Sequence, residues 1–493
     1  MTFFFRYLLH NRKLENSRRP ILLKRRRITE APEFTWGETS RAEQNPEQED
    51  DKASEVSERV EEEEQGDPCL LFQLPTSILA DILSRLSFKV VCISRCVSKV
   101  LLSVTSSPDF MSLRLDRSDF EIFLRPDSPM RGSRDLHFVD LHGLCDSAPL
   151  RGGTTDVRFR VSLPKRRLDM KTPLAAERDY DIANSCNGFM CLRKATMFSS
   201  CKNPCIVWNP FTGEFTFIPK PEKENTIKAW PIVSGLGCGA RSNVYKVVRL
   251  FHGVSPLSPF DRVAEVCTLG SDSWRSIGQA PWDTIYEGST YTVYLNGVIH
   301  WLSEPDGSVA KFSLLCFGFE EEKFNHLPLP PQLLERMGDG PAESKVTLGA
   351  LRGCLCVSGL VLHRIKVWIL RDRSDETSWT PQFSIYNFMG SFFRPLKWLE
   401  NGSLVMLWSK MSLVFYDRMA RTVREFRVRG GGSVAFQAIA HVPNMGSLRD
   451  IAGGRNLVVH NGEPIRWRPE DAEAMSLVED RDVGVNWVFD LWG

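Results

Sequence analysis

The apolar positions between residues 74 and 110 follow a helical period. The first of them are Leu74, Ile78, Leu79, Ile82, Leu83 and Leu86. Steps of one, three or four residues place such side chains on one face of a helix. Further apolar clusters at 90–97 and 101–104 predict two more short helices. Thr76 and Ser77, just after Pro75, are candidate N-caps of the first helix.

A helical unit of this size buries little apolar surface when it stands alone. Domains of about forty residues usually need a partner or a neighbouring domain for stability. The chain has 493 residues, which is too many for one ordinary core, so at least two units are expected. The helical stretch is therefore expected to pack against another part of the protein.

The pattern changes after residue 111, where short apolar runs are bounded by Gly, Pro, Asn and Asp. This pattern is typical of short strands joined by tight turns. The 34 glycines and 29 prolines fit such a punctuated chain. The region from 116 to 493 is predicted to be all-β.

Similar segments recur along this β region. Strands led by a glycine begin near residues 188, 297, 353 and 402, and each is followed by a strand with an aromatic residue. The anchors of the second strands, at intervals of about fifty residues, are Trp208, Cys267, Phe317, Trp368 and Tyr416. This period is typical of kelch-like β-propeller blades.

The clearest five repeats span residues 187–430, and the flanking segments are expected to complete six to eight blades. Residues 483–490 are a candidate closing strand. Packing of small sheets around an axis would bury both faces of each sheet and leave only short edges. A two-sheet sandwich or two smaller β domains remain alternatives.

The first 67 residues are highly charged and lack sustained apolar periodicity, which predicts a disordered leader. Residues 1–30 carry nine basic residues and two acidic ones, whereas residues 31–67 carry fourteen acids and three basic residues. The domains are therefore predicted as a leader at 1–67, a helical unit at 68–115 and a β domain at 116–493.

The basic run at residues 24–27 has three interpretations. It could be a nuclear localisation signal, a basic tail that folds back on the acidic block, or part of an organellar transit peptide. The 13 cysteines are an odd number and lie mostly in apolar runs, as reduced core thiols do. A nuclear or cytoplasmic location is therefore expected, with organellar transit as the lesser alternative.

The composition argues against several partners. With 62 basic and 61 acidic residues the chain is not a globally basic nucleic-acid binder. No stretch approaches the ~18 apolar residues of a membrane span. We expect neither nucleic acid nor membrane among its partners. Lys165, Arg166 and Arg167 are interpreted as a charged loop, with a partner contact as the alternative.

The chain offers no constellation of catalytic or metal-binding residues. The nine histidines are dispersed, and His300 is expected to be a hydrogen-bonded core residue. Cys201 and Cys205 have no second pair at zinc spacing. Cys354 and Cys356 share one strand face, which is a core pattern. The strings at 235–239 and 430–432 lack the ending of a phosphate loop. No enzyme activity, cofactor or metal is expected.

Turn chemistry supports several hairpins. Residues 210–213 are expected to close one hairpin and residues 417–421 another. The three consecutive glutamates at 320–322 also fall in a hairpin, where they are expected to form a solvated turn.

The helical stretch resembles an F-box of the plant type. The residues that carry the resemblance are Leu74 and Pro75, Ile78 and Leu79, and residues 82–86, 95–99 and 106–110. The resemblance implies docking on the Skp-type adaptor of a cullin–RING ubiquitin ligase. Two positions depart from the family pattern: Leu101 stands where tryptophan is usual, and Ser87 where proline is common. The alternative is a generic helical hairpin that caps the next domain.

The β region resembles the plant F-box-associated domain. The matching phrases lie at residues 185–188, 208–213, 245–250, 270–275, 296–302 and 319–324. One phrase is degraded, because residues 239–243 replace a run of Gly-Tyr-Asp type. With the F-box, the resemblance covers residues 70 to about 430. It implies that the β domain recruits the protein to be ubiquitylated.

Together these features predict the substrate-recognition subunit of a Skp–cullin–F-box ligase, which works by proximity with no chemistry of its own. The predicted adaptor-binding residues are Leu74, Pro75, Ile78, Leu79, Ile82, Leu83, Leu86, Cys96, Val97 and Lys99. The apolar ones would fill an adaptor groove, and Lys99 would add a polar rim contact. One rival is a propeller scaffold with a degenerate F-box and no ligase role; another is an enzyme with its site in the propeller channel.

Overall fold

The structure is a computed structural model that describes a large part of the chain after residue 69. The described residues are 70–117, 120–126, 135–139, 154–156, 159–162, 180–194, 205–219, 233–255, 258–281, 284–285, 292–304, 313–335, 346–361, 364–372, 378–386, 393–399, 401–409, 412–417, 419–420, 422–429, 436–462, 476–480 and 489–490. The charged leader, Cys201 and the basic run at 165–167 lie outside them.

Four helices form the N-terminal unit. After a 3₁₀ turn at Leu70–Gln73 they are α1 (Thr76–Ser84), α2 (Phe88–Val97), α3 (Lys99–Ser106) and α4 (Pro108–Arg117). The prediction of three helices missed α4, which begins at a proline, a residue suited to the first helical position. The predicted caps were also wrong: α1 begins at Thr76, Pro75 is its N-cap residue, and no side chain caps it.

The rest of the described chain forms six antiparallel sheets, numbered here as blades I to VI. Blade I contains Tyr180–Cys186, Phe189–Lys194, Ile206–Trp208, Glu214–Phe217 and His460–Asn461. Blade II contains Val233–Cys238, Tyr245–Ser255, Ser258–Thr268 and Arg275–Gln279. Blade III contains Thr284–Ile285, Val293–Leu295, Val298–Glu304, Ser313–Gly318 and Lys323–Pro328.

The other three blades complete the set. Blade IV contains Val346–Leu351, Cys354–Val361, Arg364–Leu370, Trp379–Tyr386 and Phe489–Asp490. Blade V contains Phe393–Trp398, Ser403–Trp408, Ser412–Asp417, Thr422–Arg429, Ser476–Asp480 and Thr154–Asp156. Blade VI contains Phe436–His441, Glu121–Pro126, Asp135–Val139 and Phe159–Ser162. Two short helices, Pro331–Leu334 and Leu448–Ile451, lie between strands.

The blades form a closed ring, which is a β-propeller. Contacts between strands link each blade to the next in numerical order and link blade VI back to blade I. Each pair of neighbouring blades shares a buried apolar cluster. This arrangement confirms the propeller prediction and excludes the two-sheet sandwich.

The ring is closed by strands from the two ends of the propeller region. Glu121–Pro126 pairs antiparallel with Phe436–His441, with Phe123 opposite Ile439. The candidate closing strand at 483–490 does not close the ring at the residues described, and residues 483–488 lie outside them. Of that segment the structure describes Phe489–Asp490, which pairs with Ser384 and Ile385 at the outer edge of blade IV.

The repeat that the sequence displays corresponds to one strand position. Counting outward from the axis, the anchors all lie in the third strand of their blades, and they are Trp208, Cys267, Phe317, Trp368 and Tyr416. Their spacing was therefore a measure of blade length. The expected hairpins are also present: Asp417 Oδ1 accepts hydrogen bonds from the amides of Met419 and Ala420 at 2.9 and 3.0 Å.

Candidate functional site

The four-helix unit has a small core of its own. Its buried side chains are Leu79, Leu83, Val91, Leu101, Val104 and Phe110. Leu101 is fully buried among them. The position at which the F-box pattern usually has tryptophan is thus an internal packing position in this chain. A change there acts on a partner only through the packing of the helices.

Polar contacts tie the first helix to the last. The Asp81 carboxylate accepts hydrogen bonds from Arg85 at 3.0 and 3.2 Å and from Arg117 at 2.6 Å. The hydrogen bonds from Arg85 and Arg117 lower the pKa of Asp81. Arg114 donates to the backbone oxygens of Ser84, at 3.2 Å, and of Leu86. The carboxyl end of α1 is therefore fixed against α4.

The unit also presents large apolar side chains to solvent. Ile78 on α1 is 46% exposed, Val100 and Leu102 on α3 are 43% and 41% exposed, and Phe72 is 38% exposed. The core of the helical unit is complete without them. Exposed apolar positions on a small helical unit are candidates for contact with a partner.

The structure separates the predicted adaptor-binding residues into three groups. Pro75, Ile78, Cys96 and Lys99 are exposed; Leu74, Ile82, Leu86 and Val97 are half-buried; Leu79 and Leu83 lie in the core. Direct contact with a partner is open to the first two groups, whereas Leu79 and Leu83 shape the surface from within.

Sequence reasoning missed Phe72, Val100 and Leu102 as exposed apolar residues. For α3 the helical period contained the information. Leu101 and Val104 face the core, so the side chains of Val100 and Leu102 on either side of Leu101 point away from it. Treating 101–104 as one apolar cluster hid this division.

A buried aromatic side chain at the start of α2 packs against the propeller. Phe88 is 5% exposed and belongs to the cluster shared by blades VI and I. Its ring lies 4.4 Å from the Phe211 ring in an edge-to-face arrangement. Phe211 also contacts Phe123 of blade VI at 5.7 Å. The two units thus share a core.

Cys92, one helical turn after Phe88, packs against the same cluster. Burial raises the pKa of its thiol to about 12. The thiol is therefore protonated at neutral pH and serves as a small apolar group at the junction.

His441 is a buried titratable group at the same junction. Its Nδ1 lies 2.8 Å from Ser185 Oγ, and its ring contacts Phe123 at 5.3 Å and Phe211 at 5.8 Å. Among the residues that the structure describes, none forms a hydrogen bond with Nε2. Burial lowers the pKa of His441 to about 3, so the ring is neutral at physiological pH.

A cavity of about 580 Å³ opens where α4 meets the propeller. It is lined by Leu115 and Arg117 from α4, and by the first hairpin turns of several blades, among them Asn187, Asn296 and Arg352. Trp398 of blade V forms another wall. This place, where the first hairpins converge beside α4, is named the mouth cavity below.

His300 and the cysteines of blade IV lie in the core of the propeller. His300 is buried, and its Nδ1 lies 3.0 Å from the Val293 carbonyl oxygen, as predicted for a core histidine. Cys356 is fully buried and Cys354 is half-buried in the blade IV–V core. Across the described residues no cluster of histidine, cysteine and acidic side chains could hold a metal ion. None of the described helices is long and apolar enough to cross a membrane.

The glutamates at 320–322 do more than form a solvated turn. Glu320 accepts hydrogen bonds from the amides of Arg241 and Ser242 at 3.2 and 3.1 Å. Glu322 pairs with Lys246 at 2.9 Å and with Arg275. This hairpin therefore fastens blade III to blade II, and the interpretation as a merely solvated turn was wrong.

The described residues thus form a helical unit with exposed apolar side chains and a β-propeller, and the two share a buried core. A family described as "F-box associated beta propeller domain" matches residues 156–428, which is more than half of the chain. The chain belongs to this family, as a plant-type F-box protein with a C-terminal F-box-associated domain.

Relatives from Arabidopsis thaliana agree with this assignment. The chain is 25% identical to F-box protein At3g07870 over 388 residues, which span 70% of this chain and 85% of that protein. It is 24% identical to F-box protein CPR1 over 391 residues, 72% of this chain and 84% of CPR1. It is 26% identical to the putative F-box/kelch-repeat protein At3g17280 over 324 residues, 62% of this chain and 73% of that protein.

Proposed function

We propose that this protein is the substrate-recognition subunit of a Skp–cullin–F-box ubiquitin ligase. The helical unit would dock on a Skp-type adaptor, and the propeller would bind the protein to be ubiquitylated. The observation that carries this proposal is the apolar surface of the helical unit. Ile78 is 46% exposed although the unit has a complete core of its own.

The proposed mechanism is proximity. A receptor that holds the ligase by one domain and the target by the other raises the effective concentration of target lysines near a ubiquitin-charged enzyme. The orientation of the two domains then matters. The shared core around Phe88 and Phe211 supports a fixed orientation, since both rings are buried and in contact.

The contact residues of the adaptor surface are proposed from their exposure. Four of the predicted residues are accessible enough to contact an adaptor: Pro75 and Ile78 at the start of α1, and Val97 and Lys99 around the α2–α3 junction. Val100 and Leu102 are added to them. A partner groove that buries such side chains would draw most of its affinity from a few apolar anchors.

Co-purification with a recombinant Skp-type adaptor tests the proposal. Ile78→Asp should weaken binding at least about tenfold, because a carboxylate would be desolvated in an apolar groove. Val458→Asp is the matched control, since Val458 is 69% exposed but lies outside the helical unit. The double variant Leu74→Ala/Pro75→Ala should also weaken binding.

Unimpaired adaptor binding by Ile78→Asp would place the docking surface elsewhere. No binding by the wild-type chain at micromolar concentration would remove the ligase role. The protein would then be better described as a propeller scaffold whose helical unit serves only as a cap.

A further inference from the structure

We propose that the mouth cavity binds an acidic peptide segment of the target protein. This inference rests on the proposed function, because it assigns the propeller's target site a place and a chemical class. Three observations carry it: the size of the cavity, the arginine residues that line it, and the backbone conformation of Arg352.

The mouth cavity is large enough for a peptide segment. Its volume of about 580 Å³ lies within the range of ligand pockets. A narrower cavity continues beneath it along the propeller axis, and the two share Phe120, Ser185 and Tyr294 in their linings. The wide part would take peptide backbone and the narrow part a side chain.

Arginine side chains line both cavities. Arg117 and Arg352 line the mouth, Arg394 lines the narrow part, and no acidic residue is among the described residues lining either. Asp81 pairs with Arg117 at 2.6 Å, and Glu121 lies 3.6 Å from Lys397. Asp81 therefore matches the charge of Arg117, and neither acid is paired with Arg352, whose charge remains at the mouth. A cleft lined by one sign of charge concentrates ligands of the opposite sign.

Arg352 occupies a turn position that disfavours arginine. In blades I and III the corresponding residues are Asn187 and Asn296, with φ of 46° and 47°. Arg352 adopts the same left-handed conformation, with φ of 49°. Asparagine tolerates this region better than other non-glycine side chains. A strained residue that persists points to a role in binding.

The side chain of Arg352 places a cation at the mouth of the cavity. The guanidinium of Arg352 lies over the Trp398 ring, 5.0 Å from its centroid. The indole covers one face of the guanidinium. The edge of the guanidinium is suited to a carboxylate, which arginine binds through paired hydrogen bonds. Tyr294, Leu295 and Trp398 offer apolar walls that a free small anion would leave unused.

Fluorescence anisotropy on the full chain tests this inference. The probe is a fluorescein-labelled oligoglutamate peptide, with an oligoglutamine peptide of equal length as the neutral probe. Oligoglutamate should bind, oligoglutamine should not, and affinity should fall as salt increases. Arg352→Asn should weaken binding about tenfold.

Arg352→Asn restores the residue that blades I and III have at this turn, so its melting temperature should equal or exceed that of the wild type. Arg371→Asn is the matched control, because Arg371 is exposed and does not line the mouth cavity. It removes the same charge and should leave peptide affinity within about twofold.

Equal oligoglutamate binding by wild type and Arg352→Asn would overturn the inference. So would equal binding of the two probes, or full displacement of oligoglutamate by citrate at matched carboxylate concentration, which would assign the site to free small anions. Adaptor co-purification of the same Arg352→Asn protein keeps the two proposals apart. Arg352→Asn should keep adaptor binding while it loses peptide affinity. A wild type that binds the adaptor but not oligoglutamate overturns this inference alone, whereas a wild type that binds no adaptor removes the proposed function.

Discussion

The ring of Phe88 meets the ring of Phe211 edge to face, with 4.4 Å between their centroids. Phe88 opens the second helix of the F-box, and Phe211 lies in the outer hairpin turn of blade I. Arg114 of the last helix adds a cation over the Phe88 ring at 5.8 Å. Phe88 thus joins the small core of the helical unit to the larger core of the propeller.

The first prediction follows from this junction. Phe88→Ala should lower the free energy of unfolding by about 3–5 kcal/mol, since it removes a buried ring from a shared cluster. It should also expose the connection between the F-box and the propeller to limited proteolysis. Urea unfolding and a protease time course measure the two effects. Phe72→Ala, at a ring that is 38% exposed, should cost less than half as much; equal losses would mean that Phe88 does not couple the domains.

A second prediction concerns the departure from the F-box pattern at position 101. Leu101→Trp restores the family's usual residue, but Leu101 is fully buried in a core shaped around leucine. We expect a loss of about 1–3 kcal/mol from overpacking. Val100→Trp places the same side chain at an exposed neighbouring position and should be close to neutral. Thermal melting of both variants tests this prediction. A stabilised Leu101→Trp variant would contradict the close packing around Leu101.

A third prediction is a pH dependence at the junction. The pKa of His441 is lowered to about 3 in the folded protein, against about 6.5 in the unfolded chain. The unfolded state therefore takes up the proton first. This contribution to stability is complete above the unfolded pKa and declines as the pH falls from there towards 3.

Between about pH 7.5 and pH 5 the loss attributable to His441 should be about 2 kcal/mol. His441→Gln keeps a polar partner for Ser185 and has no titrating ring, so its unfolding free energy should lack this part of the pH dependence. Urea unfolding of both proteins at the two pH values isolates the effect, because all other titrating groups are common to them. Parallel pH profiles would refute the assignment.

A fourth prediction concerns the close approach of blades II and III. A Cβ at Gly237 would lie 1.9 Å from Cε2 of Phe319, whose ring is fully buried. Gly237→Ala should therefore cost at least about 2–3 kcal/mol. At Gly402 the φ is 84° but a Cβ would meet open space. Gly402→Ala should show only the backbone strain, about 1 kcal/mol. A smaller loss at Gly237 than at Gly402, by calorimetry, would disprove the close packing.

A fifth prediction addresses location, which we propose to be nuclear or cytoplasmic. A fluorescent reporter fused to residues 1–30 should enter the nucleus, because residues 24–27 are four consecutive basic residues. Replacement of these four by glutamine is the control and should leave the reporter spread through the cell. Import into an organelle would instead support the transit-peptide hypothesis.

Much of the fold could be predicted because it is encoded locally. The helical spacing from Leu74 to Leu86 indicated α1, and the anchors from Trp208 to Tyr416 marked one strand of five successive blades. Turn residues with positive φ, such as Asn187 and Asn296, lie where glycine-led hairpins were predicted. Side chains a few residues apart determine these features, so a single sequence displays them.

The candidate site was less accessible to sequence reasoning. Leu79 and Leu83 belong to the same helical stripe as Ile82, yet only the three-dimensional packing of four helices shows that they are internal. Val100 and Leu102 were missed because the sequence does not show that these two apolar side chains stay exposed. A periodic pattern identifies an apolar face, but the width of the part that is covered depends on neighbouring helices.

The sequence by itself determined the helical unit, the blade repeat and the absence of an evident catalytic constellation. Only the tertiary structure decided how the ring closes, with Glu121–Pro126 beside Phe436–His441, and where the F-box rests, with Phe88 against Phe211. It also brought Arg117 and Arg352 to one cavity. Each of these relationships joins residues far apart in the chain, and such pairings arise from burial and shape complementarity between whole elements, which local periodicity does not encode.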